Sequence, residues 1–416
     1  MKVLIIGDGA REQALARKLA KSKKISEVLL CPGNAGTKYL EKCRNLPAMT
    51  KEALLSYAKV QGVGYTVVGP EKDLMEGIVD LFQEAGEAII GPHKAAALLE
   101  GSKGFAKKFM EKYHVKTPGY AVFDHYDKAA AYLAAQSFPV VIKADGLAQG
   151  KGVEIVTTLA EGLMVLQEYL LAGKFQGAGK TVVIEEFLVG KEASILALYD
   201  GETILPLWST MDHKKIGEGE TGLNTGGMGS ISPNLHFTKT HEEVFKHHIL
   251  ENTLLGLQQE GLSFQGILFF GLMLTNEEVY LLEYNLRFGD PETQSLLEVL
   301  ETDLYELFWA LLNKDLKDQS LTFQEEGACV VLSAKGYPKK KGDAINITDF
   351  FNKCPEDLHL HSYACREEEG EIYSSSGRVL SISTKGPLEN SLKKIYTFID
   401  EIDNENLYFR RDIGRM

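Results

Sequence analysis

The sequence lacks paired cysteines. Its 416 residues include five cysteines, an odd number, and no two of them form a Cys-x-x-Cys motif. Neither a zinc cage nor a disulfide framework is therefore indicated, and we expect free thiols in a reducing compartment. The five residues are Cys31, Cys43, Cys329, Cys354 and Cys365.

An excess of positive charge is also missing. The chain has 45 Lys and Arg residues against 58 Asp and Glu residues, which gives a net charge of -13. Proteins that bind nucleic acid present a basic face to the phosphate backbone, so we expect no nucleic-acid partner. Phosphate-bearing small molecules stay possible ligands, because a few lysines and backbone amides in a cleft suffice to bind them.

Long apolar runs are absent as well. The run near the N-terminus, Val3–Ile6, is too short for a signal peptide or a bilayer span, and no later run approaches membrane length. We therefore expect a cytoplasmic protein without a membrane partner. The composition, 44% hydrophobic and 25% charged, is ordinary for a globular chain. The length predicts about two to four packed lobes.

Residues 1–92 alternate strand and helix signals. Short apolar runs end at or just before glycine or proline, and a helical segment, Ala10–Ala20, follows the first of them. This alternation predicts a parallel, doubly wound sheet whose ligands bind at the carboxyl ends of the strands. The predicted strands are Val3–Ile6, Val28–Cys31, Tyr65–Val68 and Ile89–Ile90.

A second unit begins near Ser102, which suits a helix N-cap. Three aromatic residues then recur at helical spacing on one helix face: Phe105, Phe109 and Tyr113. Farther on, Ile267–Leu274 and Val279–Glu283 predict a β-hairpin that turns at residues 276–278. After about residue 325, short strands lead to a final amphipathic helix near residues 392–402.

A glycine turn, Gly7-Asp8-Gly9-Ala10-Arg11-Glu12, follows the first strand and opens the first helix. As a dinucleotide motif it is incomplete, because Glu12 stands where the third glycine belongs. Arg11 beside the free amides of a helix start favours a phosphate monoester, and a plain tight turn is the alternative. The next loop offers further candidates for this site: Asn34, Gly36 and Thr37.

The segment Val140–Val153 reads as a strand, a glycine loop and a second strand. It is not a P-loop, because Gly152 occupies the position of the Ser or Thr. Lys143 on the strand and Lys151 on the loop are candidates for binding phosphates. The alternative is an ordinary hairpin with a solvated lysine, but three glycines and two lysines within ten residues favour the phosphate interpretation.

Another buried strand ends in Glu185-Glu186-Phe187-Leu188. The backbone amides beside Phe187 and Leu188 could bind an adenine edge, and Glu192 could reach the ribose hydroxyls. Many strands end in acidic residues, so this pattern alone does not discriminate between structure and function.

The most informative stretch is Tyr280–Glu292. Residues i and i+2 of a strand face the same side, so Glu283 and Asn285 point together. Such paired oxygen ligands suit Mg²⁺, which keeps water and phosphate oxygens as its remaining ligands. The preceding strand, Phe270–Met273, offers no third acidic ligand. A salt bridge between Glu283 and Arg287 is the alternative.

These features together resemble the ATP-grasp ligases and, within them, the phosphoribosylamine–glycine ligase family, from end to end. The most specific strings are Asn224–Gly229 and Arg287–Thr293. Other matching segments are Pro32–Thr37, Val141–Val153, Asp212–Lys215 and Arg410–Gly414. The opening turn departs from the family pattern, since Asp8, Ala10 and Gln13 replace a serine, a glycine and a histidine; Asp8 adds a negative charge near the proposed phosphate.

The resemblance implies a mixed α/β and α+β fold in three parts. An N-terminal doubly wound parallel sheet is expected at residues 1–101 and an ATP-grasp fold at 102–324, with a mobile lid lobe at about 120–190. A small β-rich C-terminal lobe is expected at 325–416. The implied protein is a monomer or a weak homodimer.

The implied reaction joins glycine to 5-phosphoribosylamine with ATP, through a glycyl phosphate, and yields glycinamide ribonucleotide, ADP and phosphate in purine biosynthesis. The implied ATP-binding residues are Lys103, Lys143, Gly150, Lys151, Gly152, Glu185, Glu186, Phe187, Leu188 and Glu192. The implied substrate-binding residues are Gly9, Arg11, Glu12, Asn34, Gly36, Thr37, Glu71, Asp212, Lys214, Gly226, Gly227, Met228, Arg287, Asp290 and Pro291. Glu283 and Asn285 would hold Mg²⁺ or Mn²⁺, and the catalytic candidates are Arg287, Lys143 and Asp212.

Three other interpretations stay open at this point. A different ATP-grasp ligase, of the carboxyaminoimidazole or formyl-glycinamide type, is disfavoured by the two specific strings. A dinucleotide-dependent oxidoreductase is disfavoured by the missing third glycine. A catalytically inactive, ligand-sensing relative is disfavoured because every proposed phosphate and metal group is present.

Overall fold

The computed structural model describes residues 1–146, 152–175, 180–340, 343–374, 377–403 and 405–415. The N-terminal lobe begins with strands β1 (Lys2–Gly7), β2 (Glu27–Pro32), β3 (Cys43–Asn45), β4 (Val63–Val68) and β5 (Ile89–Ile90). Its helices are α1 (Ala10–Ala20), α2 (Lys51–Gln61), α3 (Glu71–Met75), α4 (Ile78–Glu84) and α5 (Lys94–Gly101). The strands pair in parallel in the order β3-β2-β1-β4-β5, which confirms the doubly wound sheet.

The sequence predicted this sheet except for β3. The predicted strands fall within or at the bounds of β1, β2, β4 and β5, and the predicted first helix has the bounds of α1. Strand β3 was missed because its three residues, Cys-Arg-Asn, form no apolar run and its side chains are half-buried or exposed.

A four-stranded antiparallel sheet follows. Its strands are β6 (Tyr120–Phe123), β7 (Val140–Ala144), β8 (Val153–Val156) and β9 (Val182–Glu186), and the helices of this region are α6 (Lys103–Lys112), α7 (Tyr126–Ala134) and α8 (Leu159–Leu166). The strand order is β6-β9-β7-β8. This small sheet carries the predicted lysine strand, β7, beside the predicted hinge strand, β9.

Helix α6 begins where the sequence predicts it. The hydroxyl of Ser102 accepts a hydrogen bond from the amide of Phe105 at 3.1 Å. The rings of Phe109 and Tyr113 are buried against the space that Gly256 leaves open. Phe105, one turn earlier, is 36% exposed, so the predicted three-residue apolar face has two buried members.

The largest sheet is antiparallel and contains most, but not all, of the remaining strands. The remaining strands are β10 (Lys191–Tyr199), β11 (Ile204–Asp212), β12 (Lys215–Gly217), β13 (Thr221–Asn224), β14 (Gly229–Ser232), β15 (Gly266–Leu274), β16 (Val279–Asn285), β17 (Glu326–Ala334), β18 (His359–Ser362), β19 (Arg366–Glu368), β20 (Glu371–Tyr373), β21 (Arg378–Gly386) and β22 (Leu407–Tyr408). The remaining helices are α9 (Lys239–Phe245), α10 (Glu251–Gln259), α11 (Glu292–Val299), α12 (Leu304–Asn313), α13 (Thr348–Lys353) and α14 (Leu388–Asp400). The order is β16-β15-β10-β11-β14-β17-β21-β18, with β22 beside β17, and the predicted hairpin is β15–β16.

This sheet runs through the predicted boundary near residue 325. Strand β17 of the C-terminal part pairs with β14, with Cys329 opposite Ser230. The apolar core is shared in the same way, because Leu15 of α1 belongs to one buried cluster with Leu296 of α11 and Phe308 of α12. The three parts are therefore interlocked. None of the helices in the described ranges combines the length and the apolar character that crossing a bilayer requires.

Candidate active site

Glu283 and Asn285 lie near the end of β16 and flank the buried Tyr284, so both project from the same side of the strand. Gly271 lies opposite Glu283 on β15, and a Cβ atom there would approach Glu283 Cγ to 3.1 Å. Glycine therefore leaves room for the carboxylate. Within the described part of the chain, neither Glu283 nor Asn285 has a side-chain hydrogen bond or ion pair.

The Glu283 carboxylate lies among lysines. Burial alone would raise its pKa, but the ammonium groups of Lys214, Lys143 and Lys103 hold the pKa of Glu283 below its ordinary value. It is therefore ionised at neutral pH. Three lysines near a carboxylate with no side-chain hydrogen bond of its own in the described residues suit a bound polyphosphate, although Lys143 also pairs with Glu185 and Lys214 with Glu192.

The donor set fits Mg²⁺. In the described ranges no group of three or more His, Cys, Asp or Glu side chains could enclose a metal. A free carboxylate with an amide oxygen two residues away supplies two hard oxygen donors, and Mg²⁺ takes its other ligands from phosphates and water. The predicted pair could hold the ion in this way.

Arg287 does not pair with Glu283. Its Nε atom lies 3.2 Å from Glu100 Oε1 and 3.9 Å from Glu71 Oε2, and its Nη1 donates to the carbonyl of Phe288 at 3.1 Å. The alternative salt bridge between Glu283 and Arg287 is therefore wrong. Glu71, a predicted substrate residue, is brought next to Arg287, whereas Glu100 was not predicted at all.

The lysine strand and the hinge strand meet at Glu185. This side chain is 2% exposed, and its Oε2 lies 2.8 Å from Lys143 Nζ. Lys107 Nζ approaches the other oxygen, Oε1, at 3.3 Å. Glu185 thus contacts the predicted phosphate lysine rather than facing an adenine site. Burial lowers the pKa of Lys107 to about 8, against the attraction of Glu185.

The other predicted nucleotide residues surround this pair. Lys103 Nζ donates to the carbonyl of Gly146 at 3.2 Å, and burial lowers its pKa. The carbonyl of Gly152 accepts from the amide of Ala144 at 2.8 Å. Gly150 and Lys151 lie outside the described residues.

The predicted hinge follows β9 toward the surface. Glu186 is exposed, and Phe187 and Leu188 are half-buried. Glu192, at the exposed start of β10, forms an ion pair with Lys214 at 2.7 Å. Burial alone would lower the pKa of Lys214, but the carboxylates of Glu192 and Glu283 raise it above its ordinary value. This lysine is therefore a permanent cation between the hinge and the metal strand.

Asp212, at the end of β11, is a carboxylate among the residues predicted to bind glycine. Burial and the neighbouring Glu292 carboxylate raise the pKa of Asp212 well above its ordinary value. Its Oδ1 atom is buried and has no hydrogen-bond partner within the described residues. A Cβ atom on Gly227, whose φ is +106°, would approach that oxygen to 2.7 Å. Gly227 therefore has both conformational and steric reasons to be glycine.

Arg378 joins the two most specific strings. Its Nη1 donates to the carbonyl of Gly226 at 2.6 Å and to the carbonyl of Asp290 at 3.0 Å, and its guanidinium lies over the ring of Tyr363. The hydroxyl of Tyr363 donates to Asp290 Oδ1 at 2.7 Å. Pro291 lies so close to Gly227 that a Cβ atom there would collide with its ring. The neighbouring Met228 is fully buried.

Glu12 is enclosed by glycines. Its Oε2 accepts from the amide of Gly9 at 2.9 Å, and its Oε1 accepts from Arg11 Nε at 2.7 Å. A Cβ atom at Gly7, Gly9 or Gly69 would collide with this carboxylate. Arg11 also donates to the carbonyl of Phe288 at 3.0 Å, so the turn faces the end of the metal strand.

Asn34 holds the N-terminal and C-terminal parts together. Its Nδ2 donates to the carbonyls of Asp8 at 2.8 Å and Ser362 at 3.1 Å, and its Oδ1 accepts from the Gly36 amide at 2.9 Å. Thr37 is buried and accepts from the amide of Asn34 at 3.2 Å. These polar groups are engaged inside the protein, which makes a positioning role the simplest interpretation of Asn34.

The departures in the opening turn are also accounted for structurally. Gln13 Oε1 accepts from the amide and the hydroxyl of Ser362 at 2.8 and 2.9 Å. Ala10 packs in a small buried cluster with Val331 and Tyr363. The Asp8 side chain is exposed to solvent over part of its surface. Its partial burial raises the pKa of Asp8, although a backbone hydrogen bond and the charge of Arg11 act in the opposite direction.

Sequence reasoning missed several residues that shape this cleft. Their partners are distant in sequence, for example 152 positions between Arg378 and Gly226. Lys107 carried a usable signal, since it follows Lys103 by four residues and so shares its helix face. The missed residues are Glu100, Lys107, Glu292, Tyr363 and Arg378.

Models of one family match almost the whole chain. The phosphoribosylglycinamide synthetase N domain matches residues 1–100, its ATP-grasp (A) domain residues 101–293 and its C domain residues 327–416. A phosphoribosylamine–glycine ligase of Fusobacterium nucleatum is 46% identical over 420 residues, which cover 100% of this chain and 99% of the relative. One of Clostridium acetobutylicum is 44% identical and covers 100% of both chains.

Solved structures of the same family and of a related fold resemble this chain over almost its whole length. A crystal structure of phosphoribosylamine–glycine ligase from Thermotoga maritima has a TM-score of 0.84 and 31% identity, over 99% of this chain and 100% of that chain. The biotin carboxylase domain of 2-oxoglutarate carboxylase from Hydrogenobacter thermophilus, in complex with MgADP, ADP and bicarbonate, has a TM-score of 0.73. It covers 98% of this chain and 91% of that chain at 15% identity, which shows a shared fold.

Proposed function

Because the chain belongs to the phosphoribosylglycinamide synthetase family, we propose that it joins glycine to phosphoribosylamine through a glycyl phosphate formed in this cleft. It is an ATP-grasp ligase of purine biosynthesis that uses ATP and Mg²⁺. The observation that supports the intermediate is the ionised Glu283 carboxylate, without a partner in the described residues and surrounded by three lysines. That arrangement suits transfer of a phosphoryl group.

The intermediate solves a chemical problem, since a carboxylate is a poor electrophile. In the proposed first step, an oxygen of the glycine carboxylate attacks the γ-phosphorus of ATP and ADP leaves. In the second step, the amine nitrogen of phosphoribosylamine attacks the acyl carbon and loses a proton. Phosphate then leaves with one of the original carboxylate oxygens. Positioning and charge neutralisation are the main contributions that a protein makes to such a transfer.

On the nucleotide side, we assign Lys103, Lys143 and Lys151 to neutralising the phosphates of ATP. Glu283 and Asn285 would hold Mg²⁺, which stabilises charge on the phosphate oxygens when it is bound. Mn²⁺ would fit the same hard oxygen donors.

The hinge completes the nucleotide side. Residues 186–188, at and just after the end of β9, would bind the adenine, and Gly150 and Gly152 would lie over the phosphates. Glu192 would reach the ribose; its ion pair with Lys214 leaves it at the exposed rim of the cleft. Glu185 acts through Lys143 in this assignment.

On the acceptor side, we assign Asp212, Lys214 and Gly226–Met228 to the binding of glycine. Arg287 is our candidate clamp for the glycine carboxylate or the transferring phosphoryl group, and its pairing with Glu100 would fix its orientation. We also assign Asp290 and Pro291 to the substrate-binding residues. The phosphoribosyl side is assigned to Gly9, Arg11, Glu12, Gly36, Thr37 and Glu71, with Asn34 as a residue that positions this loop.

Four broader expectations belong to the same proposal. They are a division at residues 1–101, 102–324 and 325–416, a lid lobe at about 120–190, a monomeric or weakly dimeric state, and a cytoplasmic location. Sedimentation velocity across a hundredfold range of protein concentration would separate a monomer from a weak homodimer.

Isotope transfer tests the intermediate. With glycine labelled by ¹⁸O in its carboxylate, the proposed route carries label into the released phosphate. Phosphate without label would overturn the glycyl phosphate while leaving the ligase activity intact.

Substrate dependence tests the overall reaction. Phosphate release from ATP should require both glycine and freshly prepared phosphoribosylamine. Alanine and serine in place of glycine, and ammonia in place of phosphoribosylamine, serve as matched controls. Release that did not depend on glycine would contradict the assignment.

A further inference from the structure

Lys107 is a buried lysine outside the residues assigned above. It lies on α6 and is 2% exposed, whereas its neighbour Lys108 is exposed. Lysine is rarely enclosed to this degree without a paired charge. Its charged partner among the described residues is the equally buried Glu185, at 3.3 Å.

Glu185 is shared unequally between two lysines. Its Oε2 lies 2.8 Å from Lys143 Nζ, but its buried Oε1 has no hydrogen bond within the described residues. Lys107 approaches Oε1 at ion-pair distance, and its ammonium group hydrogen-bonds to the hydroxyl of Thr117 at 2.6 Å. The Glu185–Lys107 contact is therefore an ion pair that is 0.5 Å longer than the Glu185–Lys143 pair, and it can tighten.

Thr117 connects this group to the metal strand. Its hydroxyl donates to the carbonyl of Leu281 at 2.7 Å, and the amide of Leu281 donates to the carbonyl of Lys116 at 2.8 Å. Leu281 precedes Glu283 by two residues on β16. Lys107 thus links the small sheet that carries Lys143 to the strand that carries Glu283.

Binding of a nucleotide changes the charge around Glu185. Phosphates attract Lys143, and a lysine that turns toward them leaves the Glu185 carboxylate buried without its nearer counterion. An unpaired buried carboxylate is strongly unfavourable. A second ammonium group already 3.3 Å away from the free oxygen would remove that penalty.

We propose that Lys107 is a positioning residue that takes over the charge of Glu185 when Lys143 turns to the phosphates of ATP. The inference rests on the proposed function, because it needs ATP phosphates at Lys143. Lys107 touches no substrate in this scheme. It determines how readily the ammonium group of Lys143 can leave Glu185 and bind the phosphates of ATP.

A purely structural lysine predicts something different. Lys107 also lies 5.9 Å from the centre of the Tyr120 ring, so its loss could lower stability alone. A structural role would leave ATP affinity of the folded protein unchanged. It would also give no reason for a second change, at Glu185, to restore that affinity.

The test is a double-mutant cycle on ATP affinity, measured by calorimetry with Mg-ATP and no glycine. We expect Lys107→Met to weaken ATP binding by about tenfold or more, and the matched exposed variant Lys108→Met to stay within about twofold of the wild type. Adding Glu185→Gln to Lys107→Met should recover most of the loss, because no buried charge then needs a counterion.

Lys107→Gln provides a second variant if the methionine does not fold. It keeps a hydrogen bond to Thr117 without the charge and should weaken ATP binding to a similar extent. Wild-type-like affinity in either folded variant, or no recovery in the double variant, would overturn the inference alone. Failure of the wild type to bind ATP would overturn the proposed function together with it.

Discussion

Arg287 pairs with Glu100, whose Oε1 atom lies 3.2 Å from Arg287 Nε. The two side chains are 19% and 6% exposed, so the pair is largely removed from water. Glu100 belongs to α5 of the N-terminal lobe, and its other oxygen accepts from the amide of Leu286 at 2.7 Å. The N-terminal lobe therefore fixes the end of the metal strand, and Glu283 keeps its carboxylate free for a ligand.

Removal of Glu100 should leave the largely buried Arg287 with the more distant Glu71 carboxylate, at 3.9 Å, as its remaining counterion among the described residues. We expect Glu100→Ala to lower the free energy of unfolding by about 3 kcal/mol. Glu100→Gln keeps an acceptor for the Leu286 amide and should cost less. Urea denaturation measures the difference, with the exposed Glu84→Ala as control. Equal stability of Glu100→Ala and that control would contradict the pairing.

Glu283→Ala should abolish ATP turnover and leave the fold intact. We expect a loss of at least about a hundredfold in kcat, because an essential metal ligand is removed. The variant should stay folded, because no hydrogen bond or ion pair of this side chain is lost within the described residues, although the attraction of the carboxylate to the three lysines is removed. The exposed Glu277→Ala, on the turn of the same hairpin, is the matched control. Normal turnover by Glu283→Ala would move the metal elsewhere.

Gly227→Ala should impair the proposed glycine side. A methyl group would press on the ring of Pro291 and on Asp212 Oδ1, and the residue has a φ of +106°. We expect kcat/KM for glycine to fall by at least about tenfold. Gly62→Ala is the control for backbone strain alone, because its φ is +63° and nothing lies within 4 Å of the added atom. Similar kinetics in both variants would show that strain, not contact with Asp212, is responsible.

Glu298 should stabilise the protein near neutral pH and lose this contribution in acid. Although burial opposes it, hydrogen bonds from His359 and Ser383 lower the pKa of Glu298 from 4.5 to about 2. A depressed folded-state pKa stabilises the protein above pH 4.5, and this contribution is lost as the pH falls from 4.5 to 2. Its size is about 3 kcal/mol. Urea unfolding at several pH values between 2.5 and 6 measures this. The free energy of unfolding should change less with pH in Glu298→Gln than in the exposed control Glu389→Gln.

Much of the fold was predictable because local patterns determine it. Apolar runs that end at glycine or proline gave β1, β2, β4 and β5 nearly to the residue. The period of a strand placed Glu283 and Asn285 on one side of β16. Where such a pattern is missing, as in polar β3, prediction from sequence failed.

The contacts that shape the cleft could not be predicted in this way. Arg287 has acidic neighbours in space that lie 187 and 216 positions away in sequence, Glu100 and Glu71. Nothing in the local sequence separates those partners from the nearer Glu283. Glu12 is another example, because its role as a buried partner of Arg11 depends on Gly69, which the chain brings beside it only in the folded sheet.

The pairing of β17 with β14 sets a limit on how far this enzyme can be shortened. Four residues of β14, all buried, share a ladder with β17, and the amide of Val331 donates to the carbonyl of Met228 at 3.0 Å. A truncation before residue 326 would strip one partner from this strand and expose a bare sheet edge, which favours aggregation. It would also release the loop assigned to glycine. No minimal catalytic fragment can therefore be obtained by cutting at the boundary that the sequence suggests.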